Sequence, residues 1–260
     1  MRSLNQILSF VGILLLLAAT CDARTCPKEW TKVAADLKGL FEGCTAEARQ
    51  AIRAAFHDCF PAACDGSLIL ANEYLDREEN VQIQPICDTL GQKAIDYNVG
   101  TADIIQAAAS FAVAACGGPK TFLFVGRKDS KVPNPEGVLP TQDSDAASQI
   151  SAFRKKGFTA TDLVALIGAH SAGKSIQELS FDSSPEKLDS TVFYPETVEE
   201  TAPTSLGSDF ALSNATETKN IWKGFGKSQT RWSSAFKLAM AKMSIMGNDL
   251  GKLADCSKLV

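Results

Sequence analysis

Two histidines, His57 and His170, are all that the 260-residue chain contains. Any work done by an imidazole is therefore confined to two places. There is no long basic run, and the formal net charge is −4, which argues against nucleic acid or an anionic membrane surface as a partner. Beyond Ala19 no apolar stretch is long enough to span a bilayer. Internal repeats and low-complexity linkers are absent, and period-two alternation is scarce, so helices rather than sheet should build the molecule. What is present is ordinary globular composition, 45% hydrophobic and 22% charged, enough for the core of one large or two small domains.

The stretch from Ala51 to Ser67 carries the densest chemistry. Its first half reads as the end of a helix, where residues four apart share a face, so Arg53 and His57 point into the same space. Asp58, Asp65 and Ser67 follow as oxygen donors in a compact loop that a Cys59/Cys64 pair could close. Around this stretch, helical spacing predicts elements over Trp30 to Phe41, Thr45 to His57, Thr101 to Ala115, Ser144 to Lys156, Leu163 to His170, Asp209 to Lys223 and Ser228 to Met246. The Trp232, Phe236, Met240 and Met243 stripe reads as core. Val125 to Thr141 and Ser180 to Pro203 read as loops, the second with at most a short turn.

Met1 to Gln6 followed by the apolar run Ile7 to Ala19 has the form of a secretory signal, cut after Ala23 or after Thr20. A membrane anchor is the alternative, for which the run is short. Eight cysteines in an exported chain point to disulfides. Cleavage after Ala23 would remove Cys21 and leave an odd number, with Cys87 the candidate free thiol; otherwise Cys21 survives. Asn214-Ala-Thr216 is an N-glycosylation sequon.

Gly168 to Ser175 also satisfies the phosphate-loop pattern G-x-x-x-x-G-K-[ST]. A nucleotide-binding protein is therefore one alternative. It requires a strand before the loop and a magnesium-binding acid at the end of another strand, and no convincing acid is found.

Arg53-x-x-Phe56-His57-Asp58, together with Leu163 to Ser175, resembles the plant, fungal and bacterial haem peroxidase superfamily. The likeness extends through Thr101 to Ile104, Gly117 to Pro119, Val125 to Asp129, Ser151 to Phe158 and Leu206 to Leu212, in the family's order. It implies a mainly α fold, about ten helices in two lobes with haem b between them. Residues 24–142 would form the distal lobe and 143–260 the proximal one. It implies that His170 ligates the haem iron and donates its other ring N–H to Asp209, with Phe181 beside it. On the opposite side His57 would shuttle the peroxide proton, Arg53 would stabilise developing charge, Asn80 would accept from His57, and Phe56 would stack over the haem.

The resemblance further implies two calcium ions. Asp58, Asp65 and Ser67 with the carbonyls of Pro61 and Ala63 match the distal site; Ser171, Asp182, Ser184, the Lys187 carbonyl and Asp189 match the proximal one. Each group alone is also what turn capping uses. The implied disulfides are Cys59–Cys64, Cys44–Cys116 and Cys26–Cys256. The positions that carry manganese-binding acids in manganese peroxidases hold Ala46, Gln50 and Ile176, and the surface tryptophan of lignin peroxidases is replaced by Ala165. The expectation is a secreted, monomeric enzyme that reduces hydrogen peroxide and oxidises small phenolic or aromatic donors in two one-electron steps at the haem edge. Pro140 would stand at the mouth of that edge. A secreted haem- and calcium-binding protein without turnover is the remaining alternative.

Overall fold

The structure, a computed structural model, describes residues 24–260. The expected signal segment and cleavage site, and Cys21, lie outside the described residues. Among the described residues, twelve α-helices, four short 3-10 turns and three two-residue strands make up the fold. In chain order the helices are α1 Trp30–Phe41, α2 Ala46–Cys59, α3 Ser67–Leu70, α4 Glu73–Asp76, α5 Gln84–Tyr97, α6 Thr101–Ala115, α7 Ala146–Lys155, α8 Ala160–Ile167, α9 Ser190–Glu199, α10 Gly207–Asn214, α11 Lys219–Gly226 and α12 Gln229–Ser244. The mainly helical expectation holds.

Helix α6 is the axis of the first half. It is buried on every side from Thr101 to Val113, because Ala102, Ala107, Ala108, Ala109 and Ala112 let neighbours approach closely. Helix α2 makes its largest contact there, and α1 and α5 also lie against it. The Asp129 carboxylate takes the first two free amides of α6, Thr101 N and Ala102 N, both at 2.9 Å. Within α6, Asp103 forms a buried 2.8 Å ion pair with Arg127, and Arg127 also donates to the Ser244 carbonyl at the end of α12. Gly66 has φ 74°, and a Cβ there would lie 2.7 Å from Ala102 N, so only glycine lets the loop after α2 dock on α6.

The second half is built on aromatic side chains. Tyr194, Trp222, Phe225, Trp232 and Phe236 are almost wholly buried, and their polar atoms are satisfied: Trp232 Nε1 donates to Ala165 O at 3.0 Å, Tyr194 OH to Val164 O at 2.6 Å and Trp222 Nε1 to Tyr194 O at 2.9 Å. Those bonds tie α12 and α9 to the helix that leads to His170. Strands Arg24–Thr25, Phe124–Val125 and Ala254–Asp255 form one small sheet in which the last pairs with both others. All three implied disulfides are present, Cys26–Cys256, Cys44–Cys116 and Cys59–Cys64. Cys87 is buried and pairs with no cysteine among the described residues, and burial pushes its thiol up to about 12.

Three expectations need correction. Ser180 to Pro203 is not all loop: α9 occupies Ser190–Glu199, capped by Asp189, with Pro195 inside it. That proline costs the Thr191 carbonyl its helical donor, and buried Phe193, Tyr194 and Thr197 compensate through packing. The single helix from Asp209 to Lys223 is two, α10 and α11, separated by a turn at Ala215 to Thr218. Thr218 is buried there with its hydroxyl on the Leu212 carbonyl, a side-chain bond that competes with helix continuation. His170 lies in a 3-10 turn, Gly168–Ala172, rather than on an α-helix. Helix α5 is an addition, although Ile86, Leu90 and Ala94 have helical spacing.

Candidate active site

Arg53 and His57 stand one turn apart on α2, which begins at Thr45, whose hydroxyl accepts from Ala48 N at 3.3 Å. Arg53 Nε donates to His57 Nε2 at 3.1 Å. A guanidinium can only donate, so Nε2 carries the lone pair and the ring proton sits on Nδ1. That Nδ1–H donates to Asn80 Oδ1 at 2.6 Å. Burial, and after it the adjacent Arg53 charge, hold His57 down at about 3, against the Asn80 hydrogen bond, which raises it. His57 is therefore a neutral imidazole with its basic nitrogen beside a cation. Burial also draws Arg53 below its ordinary value, with Glu79 opposing the shift.

Asn80 is buried, and its own amide donates to the Glu73 carbonyl at 2.9 Å. The Glu73 carboxylate pairs with Arg77 at 2.6 Å and accepts from Asn134 N at 2.7 Å. The Asn134 side chain donates in turn to the carbonyls of Asp58 and Ala63, at 3.1 and 3.3 Å. A continuous polar chain thus runs from His57 to the loop after α2. Glu73, Arg77 and Asn134 were not singled out from sequence, because only the fold brings them together. Phe56 is partly buried and stacks on Phe60, with centroids 4.7 Å apart.

His170 has the opposite kind of partner. Its Nδ1 donates to Asp209 Oδ2 at 2.8 Å, from α10, and its imidazole is 34% exposed against 1% for Asp209. No hydrogen bond among the described residues uses His170 Nε2, which with Nδ1 protonated carries the lone pair. Phe181 lies 5.8 Å from the imidazole and Phe193, which sequence reasoning missed, 6.3 Å edge-on. Gly168 is required here: a Cβ would fall 2.2 Å from Trp232 Nε1 and 2.7 Å from Tyr194 OH. A ring nitrogen with an open lone pair, braced by a buried carboxylate, fits the axial ligand of a haem. Pro140 is half-buried, two residues before Gln142, whose carbonyl accepts from Ser208 N at 2.8 Å, so its loop is tied to the helix that carries Asp209.

The two oxygen-donor sets were tested on their own geometry. In the first, Asp58 is fully buried and accepts from Gly66 N and Leu68 N, Asp65 accepts from Ser67 N, and Ser67 Oγ is buried without a partner among the described residues. The Pro61 carbonyl accepts from Lys156 Nζ at 3.1 Å, and a carbonyl retains a second lone pair for a cation. Burial pushes Asp58 up to about 8, Asp65 and Glu73 adding to the rise. In the second set Asp182 Oδ2 and Ser184 Oγ are buried without partners. Burial pushes Asp182 up to about 7, with Glu196 and Asp189 adding. Ser171 Oγ donates to Gly168 O at 2.8 Å, Asp189 caps α9, and Lys187 is exposed. Orphaned oxygens beside carboxyls that burial raises above their ordinary range fit a hard cation. Among the described residues no cluster of three or more His, Cys, Asp or Glu that could hold a metal occurs, since each set has two carboxylates, its other donors being hydroxyls and carbonyls.

The phosphate-loop alternative does not survive. The apolar run before Gly168 is helix α8, not a strand, and Lys174 lies in a bridge with Ser180. No helix is long and apolar enough to cross a membrane among the described residues.

A family model described as Peroxidase matches residues 32–228. The chain is 30% identical to the low-redox potential peroxidase of Taiwanofungus camphoratus, over 96% of this chain and 82% of that protein. It is 27% identical to manganese peroxidase H4 of Phanerodontia chrysosporium, over 98% and 82%, and 27% identical to peroxidase 2 of Oryza sativa subsp. indica, over 87% and 86%.

Proposed function

The chain belongs to the haem peroxidases of the plant and fungal superfamily, and from that premise we propose that it is a secreted enzyme using hydrogen peroxide to oxidise small phenols and aromatic amines. One observation carries the reading. The two imidazoles are held by different acceptors, an amide on His57 and a carboxylate on His170. An uncharged acceptor leaves His57 a neutral base; an anionic one makes His170 a strongly donating ligand.

His170, Phe56 and Phe181 would hold haem b, which would supply the two-electron redox chemistry toward peroxide and the one-electron chemistry toward donors. The chain's own residues manage protons and charge. His57 Nε2 takes a proton from peroxide and returns it to the oxygen that leaves as water. Arg53 stabilises the negative charge that develops on that oxygen. Asn80 fixes the tautomer that this exchange needs, and Asp209 orients His170.

Two calcium ions, held by the Asp58 to Ser67 loop and by Ser171 with the Asp182 to Asp189 segment, would brace the elements that carry His57 and His170. The orphaned Ser67, Asp182 and Ser184 oxygens support this. With Ala46, Gln50 and Ile176 where manganese peroxidases have acids, Mn(II) is not the donor. Donors meet the haem edge near Pro140. Three disulfides and an exposed sequon at Asn214 support an exported glycoprotein. In this reading it works as a monomer whose lobes divide near residue 142.

The test is a Soret band in the purified protein with peroxide-dependent phenol oxidation that His57→Ala abolishes. A colourless protein that takes up no haem refutes the proposal, and haem uptake without turnover leaves a binding protein.

A further inference from the structure

The 3-10 turn Glu78–Ile83 touches α2 through more than Asn80. Arg53 Nη1 donates to Gln82 Oε1 at 2.5 Å, and Arg53 Nη2 donates to the Glu79 carbonyl at 3.0 Å. With Nε on His57, three of the five N–H bonds of the guanidinium are committed and two remain for an anion. The turn is itself anchored: Asn80 and Ile83 are buried, Asn80 N donates to the Arg77 carbonyl at 3.0 Å, and Arg77 is pinned by Glu73 and by the Asn134 carbonyl. A 3-10 turn has three residues per turn, so side chains two apart diverge to neighbouring targets. Asn80 reaches His57 while Gln82 reaches Arg53, one helical turn away.

Resting on the haem peroxidase reading, we propose that Gln82 is a positioning residue for the peroxide reaction. Its side-chain carbonyl fixes the Arg53 guanidinium, so that the single turn Glu78–Ile83 sets both groups that meet peroxide. Without this acceptor the guanidinium keeps only His57 and the Glu79 carbonyl, and the Nη1 edge loses the bond that fixes the direction of its remaining N–H. Nothing covalent is asked of Gln82. Its amide accepts one hydrogen bond and never touches the substrate.

Fluoride is the probe, because it binds ferric haem as an anion and accepts hydrogen bonds from the same side as peroxide. The haem-loaded ferric protein is titrated with fluoride by absorbance, comparing wild type with Gln82→Met, which keeps size and loses the acceptor, and Gln82→Glu, which keeps an acceptor on the same arm. Loss of a hydrogen bond to a charged group predicts a dissociation constant raised about tenfold in Gln82→Met. The charge-transfer band of the fluoride complex should also be displaced, whereas in Gln82→Glu it should stay at its wild-type position. A Met variant with a normal Soret band and fluoride affinity within about twofold of wild type would overturn the proposal. Should the Met variant fail to hold haem, the Glu variant decides alone, since a displaced band there refutes the assignment. A wild-type protein with no Soret band would refute the haem reading instead, a separate result.

Discussion

Calcium binding should expel protons, because each oxygen-donor set contains a carboxyl that burial raises. Asp58 sits at about 8 and Asp182 at about 7 in the cation-free protein, both raised mainly by burial. At pH 6 both carboxyls are then mostly protonated, and a bound divalent cation requires both as carboxylates. Saturation with calcium at pH 6 should release between about one and two protons per chain; at pH 9, where both are mostly ionised, it should release far fewer. Calorimetric titration of chelator-treated protein in buffers of low and high ionisation enthalpy measures this number directly. The linkage sign follows. A folded-state pKa above the unfolded value gives stability that is complete below the unfolded value and lost as pH rises, so the calcium-free protein weakens from about pH 4 towards pH 8. Calcium removes that decline. Saturable calcium binding with no proton release at pH 6 would refute the assignment of these two carboxylates as ligands.

His57, held at about 3, keeps its base form across the neutral and mildly acid range, so the second-order reaction with peroxide should lose activity only with a midpoint near pH 3. An acid limb near the ordinary histidine value would contradict the burial argument. Gly168→Ala forces a Cβ into Trp232 and should cost about 1–3 kcal/mol, read as a lower melting temperature with weakened haem retention. Trp232→Ala removes a fully buried ring and the donor to Ala165 O and should cost about 3–5 kcal/mol; a loss under 1 kcal/mol, measured by denaturant unfolding, would contradict its placement. Adding Mn(II) as sole donor should give no turnover above background, since Ala46, Gln50 and Ile176 offer no carboxylate.

Sequence periodicity read the buried and amphipathic helices well, because α1, α6 and α12 owe their form to local spacing of apolar residues. It failed where tertiary packing overrides local preference. Pro195 marked Ser190–Glu199 as loop, yet the burial of Phe193 and Tyr194 against Trp222 and Phe225 carries that helix. Thr216 and Thr218 gave little warning of the break between α10 and α11. At the site, Arg53 and His57 were legible from their spacing of four, and His170 from its segment. Their direct partners, Asn80 and Asp209, were named only through the resemblance, and the residues behind those partners were not legible. Glu73, Arg77, Gln82 and Asn134 sit in short turns and loops where no period exists, and only the docking of those turns on α2 gives them a role.

The most direct test is rapid mixing of haem-loaded protein with hydrogen peroxide while the Soret band is followed, for wild type and His57→Leu. The account predicts a fast, peroxide-dependent change of the band in wild type, then its return in two phases as a phenol is added. In His57→Leu the first step should slow by about 10²- to 10⁴-fold with the resting spectrum retained. An unchanged rate in that variant, or a wild-type Soret band that does not respond to peroxide, would contradict it.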